Sequence, residues 1–306
     1  MPQAPFFDDL AQGPEGGRAY WLTASDGLRL RMCLWPKGEK GTILLLPGRT
    51  EYIEKYGRTA AEFGARGYGI AAIDWRGQGL SDRPEPDPML GDISDFAQYQ
   101  QDFAAMLAKL SSLGVSGPFY MVCHSMGGCI GLRTLMGGAP IKAVAFSAPM
   151  WSLNWALPAR ILSKLGCVLG LGRRYVPGYS AASYVASTAF EGNVLTKDPE
   201  TYAWLQSQAH SHPELTLGGP SLNWVDAALR ECRALARLPA PDLPAIGMVG
   251  DAEKVVSRQA IHARMAQWPN SQLTVIPHAE HDLMAETPEN RRQFYDKTTA
   301  LFDANP

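Results

Sequence analysis

Three stretches carry side chains able to make and break a covalent bond. "FYMVCHSMGGCIG", from Phe119 to Gly131, is an apolar run that meets Ser125 and then two glycines. A serine held at a sharp strand-to-helix reversal needs small neighbours, because the turn crowds backbone atoms together. Gly127 meets that need two residues after the serine. Cys123, two residues before it, is larger than the glycine usual at that place but compact and suited to burial. It is read as a strand-end core residue, not as the nucleophile. The reversal also sets Ser125 at a helix N-terminus, where N–H groups favour an anion.

A serine hydroxyl is a weak nucleophile until a base takes its proton and an acid orients the base. "VIPHAEHDLMAE" offers His278 and His281. His281 lies deeper in the loop and is the expected base, with His278 an ordinary loop residue. "MVGDAEKVVS" offers Asp251 and Glu253. Glu253 stands three residues beyond Gly250 and ahead of Lys254, Val255 and Val256, so it is the expected acid. Asp251 is the alternative, its other reading being a turn carboxylate bonded to its own backbone. Either carboxylate can fix the imidazole tautomer and stabilise the imidazolium.

In "LLLPGRTEYIEKY" the backbone N–H of Arg49 is expected to join that of Met126 in an oxyanion hole. The Arg49 side chain has two readings, contact with a phosphate headgroup or pairing with Glu51. Trp151, Trp155 and Trp224, with Met150, Tyr202 and Trp204, either wall an acyl-chain channel or form the core of their own segment. His210 and His212 have no accompanying ligand set, so neither a metal nor another cofactor is expected. The loop Asp74–Gly79 reads as structural.

The surrounding elements must position these groups. Strands are expected over 19–24 and 28–35, and in "GTILLLPG", "YGIAAID", "PFYMVC", "IKAVAFSAP", "LPAIGMVG" and "QLTVIP". Helical patterns alternate with them, including "SDFAQYQQDFAAMLAKL" with Ser94 as N-cap. That alternation argues for an α/β fold with a mostly parallel sheet flanked by helices. The rhythm breaks after Pro149 and resumes near residue 239. The expected organisation is therefore a core of residues 1–149 and 239–306 with a helical cap of residues 150–238.

Of the 306 residues, 46% are hydrophobic and 19% charged, with a net charge of -2, which excludes bulk attraction to nucleic acid. Five scattered cysteines without C-x-x-C spacing fit no disulfide framework and favour a cytoplasmic setting. The N-terminus lacks a basic region before an apolar one, so no signal peptide is expected, and no run spans a membrane. "ARILSKLGCVLGLGRR" either rests on an anionic lipid surface, at the inner face of the membrane, or packs its apolar side on neighbouring helices.

These residues resemble the α/β-hydrolase superfamily, and within it the bacterial lysophospholipase and monoacylglycerol lipase-like branch. "PGRTE", "SAPMW", "NVLTKD", "LGGPSLNWV" and "EKVV" carry the likeness to its lysophospholipase members. The resemblance implies a triad of Ser125, Glu253 and His281, oxyanion donors Arg49 and Met126, and a small lipid-like ester as substrate. Two departures stand out: Cys123 replaces a smaller residue, and His278 stands where a glycine commonly begins the histidine loop.

Overall fold

The computed structural model describes residues 3–36, 38–154 and 157–306. Among these residues eight strands form one sheet: β1 (Arg18–Thr23), β2 (Arg29–Leu34), β3 (Thr42–Leu46), β4 (Gly69–Asp74), β5 (Phe119–His124), β6 (Val144–Ser147), β7 (Ala245–Gly250) and β8 (Ser271–Ile276). Their spatial order is β1-β2-β4-β3-β5-β6-β7-β8. β2 runs antiparallel to β1 and β4, and all other pairings are parallel. Every residue of β3, β4 and β7 is buried. Parallel strands covered on both faces have no solvent side, which is why "TILLL" and "GIAAID" are apolar without alternation.

The period-2 geometry of β5 divides its side chains between two cores. Met121 and Cys123 face the helices Ala97–Ser112, Met126–Met136 and Leu222–Ala236. Tyr120 and Val122 face the side of Phe63 and Phe302, in the helices Gly57–Gly64 and Pro288–Asp303. The strand expectations agree with these elements within three residues, the widest gap being at β6, which starts at Val144 and not at Ile141. Ser94 is not an N-cap, however. The helix begins at Ala97, whose N–H is accepted by Asp95 Oδ1 at 2.9 Å. A carboxylate one residue on reaches the first turn and displaces the serine.

Between the neighbouring strands β6 and β7 the chain makes a long helical excursion, including Leu157–Val168, Pro199–Ser211 and Leu222–Ala236. Its extended contacts are isolated bridges such as Leu153 to Val256 and Gly91 to Pro220. Among the described residues no helix is long and apolar enough to cross a membrane.

Cys123 is fully buried, and burial pushes its thiol well up, so it carries no thiolate. The sulfur has room because Gly131 faces it: a Cβ there would lie 2.4 Å from Cys123 Sγ. Gly131→Ala should destabilise the fold by about 1–3 kcal/mol through overpacking. Adding Cys123→Ala should recover most of that loss, as read by urea unfolding of the single and double variants.

Candidate active site

The site forms where β5 ends. Ser125 takes φ 50 and ψ −116, a left-handed conformation that costs a non-glycine residue about 1–3 kcal/mol. Surrounding bonds over-determine it. Ser125 N–H donates to Ser147 O at 3.1 Å, and Ser125 O accepts from Gly128 N and Met150 N at 2.8 Å each. Gly127 is needed for close approach, since a Cβ there would sit 2.0 Å from Leu46 O. The turn thus directs a serine hydroxyl off the end of the sheet.

Ser125 Oγ lies 2.9 Å from His281 Nε2, and His281 Nδ1 lies 2.6 Å from Glu253 Oε2. With the proton on Nδ1 donated to the carboxylate, Nε2 is free to accept from the serine hydroxyl. Glu253 Oε1 accepts from Val256 N at 3.0 Å and also from Val255 N, which fixes the carboxylate. Burial pushes this carboxyl up, but His281 and the two backbone donors outweigh it, leaving it below the ordinary 4.5. The chain of contacts can move a proton from hydroxyl to imidazole while a fixed anion faces the charge that develops.

Asp251, the alternative acid, is elsewhere. It is exposed, and its Oδ1 accepts the His278 N–H at 2.7 Å. That bond serves a turn in which His278 has φ 59, the left-handed region that explains why a glycine is usual there. The short Asp251 side chain is spent on this turn and does not contact His281. His212 pairs with Glu214 at 2.8 Å, away from the site.

Ser125, His281, Arg49 and Met126 border one cavity of about 270 Å³, together with Met150, Val194 and Trp224. Met126 opens the helix that follows the serine, so its N–H belongs to the unpaired first turn. Arg49 sits in the turn after β3, which the loop after β4 holds in shape. Trp75 Nε1 donates to Pro47 O at 3.0 Å, and Gln78 Oε1 accepts from Thr50 N at 2.6 Å. Trp151 is not on the cavity wall. It is 5% exposed, packs edge-on against Phe146 at 5.0 Å and donates its indole N–H to Gly128 O, so the core claims it. Trp204 and Tyr202 also lie off this cavity, and Trp155 lies outside the described residues.

Behind the reacting groups lies a layer of charge that motif reading missed. Lys55 Nζ bridges Glu51 and Asp282, 2.6 Å from the latter. His124 Nε2 lies 3.4 Å from Glu51, and its ring is 5.0 Å from that of His281. Glu51, His124 and Asp282 have a ligand-like spacing, but the Lys55 ammonium already supplies the cation between the two carboxylates. Burial leaves His124 below its ordinary 6.5 despite the carboxylates nearby, so it is neutral. The available signals were adjacency (His124 before Ser125, Asp282 after His281) and the i, i+4 spacing of Glu51 and Lys55.

A family model described as serine aminopeptidase, S33 matches residues 37–288. The probable lysophospholipase L2 of Haemophilus influenzae is 29% identical over 254 residues, covering 82% of this chain and 80% of that protein. The lysophospholipase L2 of Escherichia coli is 28% identical over 228 residues, covering 74% and 67%. The crystal structure of a soluble variant of monoglyceride lipase from Saccharomyces cerevisiae, in complex with a substrate analog, superposes with a TM-score of 0.73. It is 21% identical and covers 93% of this chain and 95% of its own, a likeness of fold.

The buried ion pair makes the site's scaffold sensitive to acid. Burial raises the Asp282 carboxyl, but the Lys55 ammonium prevails and brings it down to about 2. The stabilisation is complete above the ordinary value of 3.8 and drains away as pH falls towards about 2. Asp282→Asn should cost about 1.5–3 kcal/mol near neutral pH, because the Lys55 ammonium loses one of its two carboxylates. In urea unfolding across a pH series, its deficit against the unmodified protein should narrow only below pH ~4.

Proposed function

This chain belongs to the serine aminopeptidase S33 family, and on that footing we propose that it is a serine hydrolase cleaving carboxylic esters of lipid-like substrates, lysophospholipids first among them. The observation that carries the reading is the relay from Ser125 through His281 to Glu253 at the floor of a largely apolar cavity. Its relatives named lysophospholipase L2 support the ester substrate. An aminopeptidase would need an available carboxylate for the substrate's free amine. Glu51 is the one acidic residue bordering the cavity among the described residues, and Lys55, Tyr56 and Gly48 N already engage it.

In the proposed reaction His281 Nε2 takes the Ser125 proton as Oγ attacks the ester carbonyl. The backbone N–H groups of Arg49 and Met126 receive the oxyanion. The tetrahedral adduct collapses, the alkoxide leaves, and His281 returns the proton to it. A water deprotonated by His281 then attacks the acyl-serine, and the fatty acid departs as Ser125 regains its proton. Glu253 holds the tautomer and stabilises the imidazolium throughout.

We read the excursion between β6 and β7 as a cap that also touches lipid. Ten large apolar side chains are exposed among the described residues, and eight of them fall between Ile161 and Tyr184. The same stretch is flanked and interspersed by Arg160, Lys164, Arg173 and Arg174, and residues 157–190 contain no acid. Glu85 pairs with Arg173 at 3.4 Å and leaves the other three for an anionic surface.

Ser125→Ala should abolish both turnover and labelling by a serine-directed phosphonate. Glu253→Gln should lower kcat by about 10⁴, whereas Asp251→Asn should stay within about threefold, a surface-residue effect. The opposite ranking would reassign the acid. Fatty-acid release from matched lysophospholipids, monoacylglycerols and short aryl esters checks the substrate class, and silence across all three would remove the esterase reading. Leu165→Asp with Val168→Asp should reduce co-sedimentation with phosphatidylglycerol vesicles. Equal binding of both proteins would refute the lipid contact.

A further inference from the structure

Among the described residues, one cation on the cavity wall has no partner of opposite charge. The Arg49 guanidinium lies over Trp224, with Cζ 5.3 Å from the ring centroid, and Nη2 donates to Gly218 O at 2.6 Å. Its Nε is buried without an acceptor. Among the described residues no carboxylate comes within ion-pair distance, and the acidic groups that influence it are the phenols of Tyr99, Tyr179 and Tyr175. Glu51, the partner that sequence proximity suggests, is already engaged by Lys55, Tyr56 and Gly48 N. Loss of water pushes Arg49 down to about 10, so it remains charged at neutral pH. Among the described residues Gly218 O is its one acceptor, so a largely buried guanidinium with five donors to place is under-satisfied.

The seat is built for it nonetheless. A Cβ on Gly91 would come within 2.3 Å of Arg49 Nη2, so the guanidinium occupies space that a larger residue would fill. Gly91 N–H is bonded to Gly219 O, and Gly218 N–H to Met89 O, which fixes the carbonyl that Arg49 meets. Arg49 belongs to "PGRTE", while Gly218 and Trp224 belong to "LGGPSLNWV". Two motifs far apart in the chain thus converge on one group, and that group borders the cavity holding Ser125. A cation of purely structural use would normally be given a carboxylate. This one borders the same cavity as Ser125.

We infer that Arg49 selects the headgroup, its guanidinium receiving the phosphate diester of a lysophospholipid while the ester carbonyl rests at Ser125. The inference rests on the ester-hydrolase reading above and deepens it: an anionic phosphate is favoured over the uncharged glycerol of a monoacylglycerol. Guanidinium and phosphate match in shape and charge, and a charged hydrogen bond of this kind contributes about 1.5–3 kcal/mol. The carboxylate of the released fatty acid is a second anion with the same chemistry, and the test separates the two.

Kinetics are compared for octanoyl lysophosphatidylcholine and monooctanoylglycerol below their micellar concentrations. In Arg49→Met the kcat/KM ratio of the first to the second should fall about 10–100-fold, chiefly through KM, and Arg49→Lys should restore part of it. Octylphosphocholine, which has the phosphate but no carboxylic ester, should lose affinity by a similar factor in calorimetry, and octanoate by less. An unchanged ratio, or equal loss on both esters, overturns the inference. A larger loss for octanoate assigns Arg49 to the product acid instead. Should the variants fail to fold, the unmodified protein still decides: added salt should raise KM for the phosphate-bearing ester more than for the glyceride, and equal responses count against Arg49. If neither ester is cleaved, the ester-hydrolase reading fails, while octylphosphocholine binding still judges Arg49 by itself.

Discussion

The arrangement depends on one largely buried ammonium. Lys55 joins Glu51, which receives Gly48 N–H in the turn after β3, to Asp282, the neighbour of His281. His124, the neighbour of Ser125, lies against the same Glu51. The turn after β3, the serine turn and the histidine loop come from distant parts of the chain, and this layer of charge is where they meet. Paired buried charges add little net stability compared with an apolar core, but each is costly to strand. Such a layer therefore penalises any displacement of one loop relative to the others.

The excursion between β6 and β7 takes part in the same restraint. His281 N–H donates to Val194 O at 3.3 Å and Asp282 N–H to Leu195 O at 2.8 Å. Thr196 Oγ1 donates to Ala285 O at 2.7 Å. Glu280, buried beside the histidine, accepts from Lys197 at 2.7 Å and Lys254 at 3.2 Å. The segment "NVLTKD" is thus the strap along the histidine loop, and Lys254 ties in the loop that carries Glu253. An excursion tied down in this way shifts relative to His281 only if these bonds break.

Strain and charge are placed where the chemistry needs them. Ser125 and His278 both hold left-handed backbone conformations, each beside a reacting or orienting group. The bonds from Ser147, Gly128 and Met150 offset the cost at Ser125, and the Asp251 carboxylate does the same at His278. The latter explains why two acids stand two residues apart near the end of β7: one bonds to His281, and the other shapes the loop that carries it.

Much of this was legible in one dimension. Apolar runs bounded by glycine and proline mark β3 to β7, because strands buried on both faces leave no other pattern. The spacing in "CHSMGG" and in "GDAEKVV" singled out Ser125 and Glu253, because a tight turn and a short loop are local geometries that residue order specifies. Side-chain direction across the fold is not local. Trp151 and Trp224 look alike in sequence, yet one faces Phe146 in the core and the other faces the cavity. Arg49 had two plausible partners on paper, and it was the packing of Lys55, Tyr56 and His124 around Glu51 that removed one. Sequence by itself determined the elements and brought forward the candidate groups, since these depend on neighbours along the chain. Only the tertiary structure decided which charges are satisfied and which stay open, since that depends on neighbours brought together by folding.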